Sequence, residues 1–501
     1  MAAAETQAEN AASANRILAN TGFRAIADIG SKVASIALYV VMARRLGDAA
    51  FGVFTFGMAY VTLVTTLANM GQQAILTREV ARDRSRLHDY FVNTLSLQLA
   101  LSVPALLLAL GLHVALGFES GARTVVLLLG VAVVAEALMS TCFAVFQAYE
   151  RLGFIPIVLL AQRWTTAAVG IAALALGGGV VSVSAIYLGG ALGALALALY
   201  YVVTRIARPR LAVNLRRWLP LMRVAFPIGI AGVFATILFR IDVAMLGWYD
   251  SDAAVGQYGA AYRLLESTLF ISWSVGTAVY PVLSRLTRTT ATPIAAVFQA
   301  ALKLAAALTL PLAVGAAVLA YPLMELLYGS EFRDGASALI LLAPTVALYP
   351  PAYLAAYVLM SQDRQSYLAW VYGGAAIVNI ALNTVLIPRF SFDGAAFAPS
   401  VCELLTAGLR VGLALRAAGG INARAVLAGP VLASLLAAAA MALLYDAVLA
   451  AVPAAVLVYV GVLALYERRF HPHDYARVVN FLRRRAAPGG SARGAPESEQ
   501  L

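Results

Sequence analysis

The chain is 501 residues long, 62% hydrophobic and only 12% charged, with a formal net charge of +11. A soluble domain of this size is about a quarter charged, so the composition excludes a soluble enzyme or binding module and indicates a protein embedded in a bilayer. The basic excess has no soluble domain to display it, which argues against nucleic acid as a partner and leaves charge as a signal of orientation and of contact with anionic lipid.

Residues 1–14 are small and polar and lack a basic n-region, so they predict a disordered cytoplasmic N-terminus and no cleaved signal. Beyond them, a span needs about 20 apolar residues, and this length selects about fourteen segments. They lie near 21–43, 51–71, 91–116, 121–146, 156–178, 180–203, 224–247, 257–282, 294–320, 335–360, 367–387, 394–418, 424–447 and 449–466. The fold class predicted is an all-α polytopic membrane protein.

Arginines crowd into alternate connections. Arg78, Arg82, Arg84 and Arg86 follow the second segment. Arg205, Arg208, Arg210, Arg216, Arg217 and Arg223 follow the sixth, and the tail holds Arg468, Arg469, Arg477 and Arg483–Arg485. The opposite set is poor, with Arg44, Arg45, Arg123, Arg333 and Arg389. The positive-inside rule then places both termini in the cytoplasm, which requires an even number of spans. The tail is expected to be helical around Asp474–Arg485 before dissolving into Pro, Gly and Ser. Cys142 and Cys402 sit in apolar runs and read as small buried side chains, with no disulfide framework.

An internal echo organises the spans. Asp48-Ala49-Ala50-Phe51-Gly52-Val53-Phe54 follows the first, and Asp252-Ala253-Ala254-Val255-Gly256-Gln257-Tyr258 follows the seventh. A shared pattern six spans apart is what a duplicated six-helix bundle predicts, and such repeats build transporters around a site between their halves. The expected organisation is an N-lobe at 15–223, a pseudo-symmetric C-lobe at 224–418, an appended helix pair at 419–466 and a basic cytoplasmic tail at 467–501.

Several motifs in order carry a family likeness. They are Ala43-Arg44-Arg45-Leu46-Gly47 with Phe51-Gly52, then Asn69-Met70-Gly71 and Thr77-Arg78-Glu79-Val80-Ala81-Arg82. Asp242-Val243-Ala244-Met245-Leu246-Gly247 with Val255-Gly256-Gln257-Tyr258 follows, then Asn379-Ile380-Ala381-Leu382-Asn383 running to Leu386-Ile387-Pro388 and Gly394-Ala395-Ala396. Over about residues 15–418 the chain resembles the polysaccharide-transport, O-antigen flippase-like family of the multidrug/oligosaccharidyl-lipid/polysaccharide exporter superfamily. Ser391-Phe392-Asp393 departs from the family pattern, which often has glycine soon after the proline, and puts the turn geometry there in question.

The resemblance implies a flippase that carries an undecaprenyl-pyrophosphate-linked oligosaccharide from the cytoplasmic to the periplasmic leaflet of a bacterial inner membrane. It implies no cofactor, and as partners the lipid-linked substrate, membrane lipids and, beside them, glycosyltransferases and a glycan polymerase. Arg24, Asp28 and Lys32 lie at i, i+4 and i+8 on one face of the first span. Charges at that depth are costly unless they face water or a partner. Either Arg24 snorkels to headgroups while Asp28 and Lys32 neutralise each other, or the three form a cationic ladder for pyrophosphate with Asp28 as modulator. Arg240 and Asp242 in the seventh span, and Arg263 and Glu266 one turn apart in the eighth, would complete a charged cavity. Arg24, Lys32, Arg240 and Arg263 are the candidate ligands for pyrophosphate, and Asp28, Asp242 and Glu266 the candidate coupling or cavity acids.

Glu136, Arg163, Lys303, Glu403 and Arg410 also fall inside apolar runs and read as partnered structural residues. Asn379 and Asn383 read as helix-to-helix hydrogen bonders. No Gly-x4-Gly-Lys-Ser/Thr loop occurs, so ATP hydrolysis is excluded, and the four histidines form no metal or nucleophile arrangement. Short connections argue against a membrane polymerase or ligase. A cation-coupled multidrug or metabolite exporter and a lipid II flippase of the same superfamily remain the alternatives, because fold alone does not separate them.

Overall fold

The computed structural model describes residues 2–115, 120–209, 212–286, 294–362, 364, 366–472 and 475–476. Side chains are described from residue 29 onward, apart from 120, 121, 228, 231, 277, 278, 281, 284–286 and 366. Among the described residues there is no strand. The helices are α1 (Ala2–Thr66), α2 (Gln72–Arg82), α3 (Leu87–Ala115), α4 (Ser120–Ala148), α5 (Phe154–Ala175), α6 (Val180–Tyr201) and α7 (Trp218–Tyr249). They continue with α8 (Asp252–Leu286), α9 (Ile294–Val318), α10 (Ala320–Tyr328), α11 (Ala336–Ser361), α12 (Ser366–Ala418), α13 (Ala423–Leu443) and α14 (Val448–Phe470).

Among the described residues eleven helices are long and apolar enough to cross a membrane, which makes the chain a multi-pass membrane protein. Two of the helices turn back on themselves. α1 breaks at Gly47 (φ 76, ψ 177) and α12 at Ser391 (φ 51, ψ −134), and each expected apolar segment falls in one helix or in one limb of these two. Gly47 supplies the positive φ without strain. Ser391 does not, and it occupies the turn where the family pattern often has glycine.

The two echoed motifs meet at this kinked end. A Cβ on Gly52 would lie 1.7 Å from the Asp252 carbonyl oxygen, and a Cβ on Gly256 would lie 2.0 Å from that of Asp48. Each glycine therefore seats the backbone of the other motif, and any side chain at either position would force the helices apart. Gln257 ties the same place together. Its Nε2 donates to Asp48 Oδ2 at 3.0 Å and to the Glu331 carbonyl at 2.6 Å, while its Oε1 accepts from the Gly335 N–H at 2.9 Å. Phe51, Phe54, Tyr258 and Phe332, all essentially without exposed surface, fill the core beneath.

At the opposite end α2 buries Ile75, Leu76 and Val80, and its Glu79 draws in Arg78, Arg82 and Arg86 at 3.0, 3.8 and 2.9 Å. α13 and α14 pack on each other and against α9, where the Tyr459 hydroxyl donates to the Ala307 carbonyl at 2.6 Å.

Two expectations are corrected. α1 begins at Ala2, so the stretch expected to be disordered continues the first helix, in keeping with its many alanines, the strongest helix formers. Asn379 and Asn383 do not join neighbouring helices through that pair. One turn apart on α12, they bond to each other, Asn383 Nδ2 donating to Asn379 Oδ1 at 3.0 Å. The expected tail helix around 474–485 lies, apart from Tyr475 and Ala476, outside the described residues.

Candidate functional site

Charge converges where α1, α4, α5, α6, α7 and α8 approach one another. One turn of α8 separates Arg263 from Glu266, and α7 sets Arg240 across from them. Glu266 serves both cations: Arg240 Nη2 lies 2.8 Å from its Oε1 and Arg263 Nη1 2.8 Å from its Oε2. The Arg263 guanidinium also sits 4.3 Å from the centre of the Tyr39 ring of α1, a cation–π contact.

A second group continues from Tyr39. Arg163 of α5 donates to the Tyr187 hydroxyl at 3.0 Å and pairs with Glu136 of α4 at 3.6 Å. Glu136 Oε1 also accepts from Gln162 at 2.7 Å and from Tyr187 at 3.1 Å. Lys32, two turns before Tyr39 on α1, lies within Coulombic range of Glu266, Arg163, Arg263 and Arg240. It makes no ion pair or hydrogen bond among the described residues. Among the described side chains four cations thus face two carboxylates, and counting the nearby Asp242 as ionised still leaves these groups net positive.

Asp242 stands apart from that arrangement. It has no exposed surface, accepts from the Tyr258 hydroxyl, and takes the Val243 N–H at 2.9 Å. The two-residue offset from Arg240 turns the two side chains to different sides of α7, as a helix requires. Arg24 and Asp28 lie on α1, but their side chains are outside the described part of the structure. Of the candidate ligands, then, Lys32, Arg240 and Arg263 come together with Glu266, while Asp242 packs into the α7–α8 contact.

These groups are surrounded by protein yet not sealed. Arg240 and Arg163 keep 27% and 28% of their side-chain surface open. A positive cluster open to hydrocarbon would be heavily penalised. Glu136 and Arg163, read from the sequence as structural partners, do pair, but they do so as part of this same cluster. Neither has another charged residue within two turns on its own helix, so no local spacing linked them to Arg263. Glu403 and Arg410 bridge at 3.1 Å and Lys303 meets Glu467 at 2.5 Å, both away from it.

Known proteins share both sequence and fold with this chain. The polysaccharide biosynthesis protein family matches residues 17–287, and the MatE family matches 227–385. The chain is 24% identical over 366 residues to the probable low-salt glycan biosynthesis flippase Agl15 of Haloferax volcanii, covering 72% of this chain and 75% of that protein. Its fold is similar to that of the lipid II flippase MurJ in an inward closed conformation, with TM-score 0.76 and 14% identity over 89% of this chain and 98% of that one. It is also similar to an inward-facing multidrug resistance MATE transporter of the MOP superfamily, with TM-score 0.65 and 14% identity over 78% and 95% of the two chains. With more than half of its length matched, the chain belongs to the polysaccharide biosynthesis protein family, on the fold of the MOP superfamily.

Proposed function

We propose that the protein is a flippase for a polyprenyl-pyrophosphate-linked oligosaccharide, moving it from the cytoplasmic to the periplasmic leaflet of a bacterial inner membrane for O-antigen, capsule or exopolysaccharide synthesis. In this reading the chain crosses about fourteen times, with both termini cytoplasmic, and the lobes at 15–223 and 224–418 rock about the charged cluster. Glycosyltransferases and a polymerase would act on either side of the step.

The observation that carries the reading is Lys32 facing two arginines that share the single carboxylate Glu266. A pyrophosphate offers several acceptor oxygens and negative charge, which an excess of guanidinium and ammonium donors is suited to hold. An exporter of organic cations is the poorer reading, because the same cluster repels a cation. The membrane potential would assist export by roughly 2.3 kcal/mol per charge per 100 mV. Coupling to a cation or proton would instead use Asp28, Asp242 or Glu266.

The test is transport by proteoliposomes of a fluorescent undecaprenyl-pyrophosphate oligosaccharide, followed by quenching from outside. Wild type is expected to move the lipid, and Lys32→Ala, inserted at equal level, to lose most of that rate. Full transport by Lys32→Ala would overturn the assignment of the cluster, and failure of the wild type would overturn the function.

A further inference from the structure

An aromatic track leads away from the cationic cluster into the space among α7, α8 and α11. Phe239 precedes Arg240 on α7, and its carbonyl accepts from the Tyr262 hydroxyl at 3.2 Å. Its ring lies 6.1 Å from that of Tyr349 on α11. From there the rings follow one face of α11 at intervals of one turn: Tyr349 to Tyr353 stacked at 5.7 Å, and Tyr353 to Tyr357 edge-on at 5.1 Å. Tyr280 of α8 closes the row at 5.0 Å from Tyr357. Trp273 of α8 reaches the Tyr349 hydroxyl with its indole N–H at 3.4 Å.

Two features separate this track from ordinary core packing. Core aromatics such as Phe51, Phe54, Phe146 and Phe298 have no exposed surface, whereas the track rings are only half-buried and Trp273 is 42% exposed. Trp273 stands seven residues after Glu266 and Tyr280 seven after that, so all three share one face of α8. That face carries the Arg263–Glu266 ion pair. Gly276 lets the tyrosines settle against α8, since a Cβ there would lie 2.4 Å from the Tyr357 ring.

A row of half-buried aromatic rings carrying phenol hydroxyls suits a sugar. The axial C–H groups of a pyranose pack on the electron-rich ring face, and its hydroxyls find polar partners at the rim. From Tyr349 to Tyr357 the row extends about 12 Å along α11, the length of a short oligosaccharide. Resting on the proposed function, we infer that Phe239, Trp273, Tyr280, Tyr349, Tyr353 and Tyr357 form the subsite that holds the sugar rings while the cationic cluster holds the pyrophosphate. Stacking of this kind reads the ring more than its substituents, so it tolerates different neutral sugars.

The test is equilibrium binding by the purified, intact protein of two probes, bare undecaprenyl pyrophosphate and the same lipid carrying a neutral hexose trisaccharide. Wild type is expected to bind the glycosylated probe more tightly by about tenfold, the scale of two aromatic contacts. Tyr353→Leu with Tyr357→Leu should abolish that difference while leaving affinity for the bare lipid and the thermal unfolding midpoint unchanged. Tyr353→Phe should retain it. Equal affinity of wild type for both probes, or a difference that survives the double leucine variant, would overturn the subsite while the pyrophosphate site stands. Loss of bare-lipid binding in the leucine variant would overturn it as well, because the tyrosines would then be supporting the bundle. Failure of wild type to bind even the bare lipid would overturn the proposed function and the subsite with it.

Discussion

Glu266 holds Arg240 and Arg263 together, and under the proposed function a diphosphate would compete with it for both. The carboxylate keeps Arg240 and Arg263 ordered at 2.8 Å each, and it must be displaced for a phosphate oxygen to take both. Removing its charge therefore has opposite effects on binding and on release. Glu266→Gln is expected to bind undecaprenyl pyrophosphate about tenfold more tightly and to transport it more slowly, with the free protein showing a lower unfolding midpoint that the lipid restores. Titration calorimetry and proteoliposome flux on the same preparation check both halves. Arg410 gives the contrasting case. It is 1% exposed and bonded to Glu403, Thr406 and Tyr372, away from the cluster. Arg410→Ala should cost about 3–5 kcal/mol by stranding Glu403, whereas Arg410→Met with Glu403→Leu should unfold near the wild-type temperature. The sequence made Arg240, Arg263 and Glu266 visible because ions in apolar runs are rare. It did not join Arg163 to Glu136, which stand on different helices, whereas Glu403 and Arg410, seven apart on one helix face, could be seen as a bridge.

The helices were legible because a span must satisfy its own backbone, so length and apolarity announce it. The turns between limbs were less so, since they depend on one residue's dihedral angles. Ser391 is the instance: the missing glycine was apparent, but that serine itself takes the positive φ was not. Such a conformation costs about 1–3 kcal/mol for a residue with a Cβ, partly offset by the greater freedom glycine has in the unfolded chain. Ser391→Gly should accordingly raise stability by about 1 kcal/mol, and Ser391→Val should lower it, as measured by thermal unfolding in detergent. The Asn379–Asn383 pair shows the reverse limit. A spacing of four satisfied equally well by a neighbouring helix or by the same one gives no way to choose before the helix is seen.

The reciprocal seating of Gly52 and Gly256 joins the first and second halves of the chain at one end of the bundle. It explains why the echoed motif carries glycine at its fifth position, something its recurrence alone did not reveal. If the lobes rock, this is the contact that must part. Gly256→Ala should hold it open, and a cysteine introduced at Ala253 should then react faster with a membrane-impermeant maleimide, the native Cys142 and Cys402 being buried. Unchanged labelling would mean that the end accommodates the methyl without separating. Gln257→Ala should have a smaller effect in the same direction, since it removes bonds to Asp48, Glu331 and Gly335 but leaves the helices free to touch. A joint made of main chain against main chain has no pliant layer. A gap of even half an ångström forfeits a quarter or more of the dispersion well, so this end has no comfortable ajar position, and under the proposed function it should unfasten in a single step.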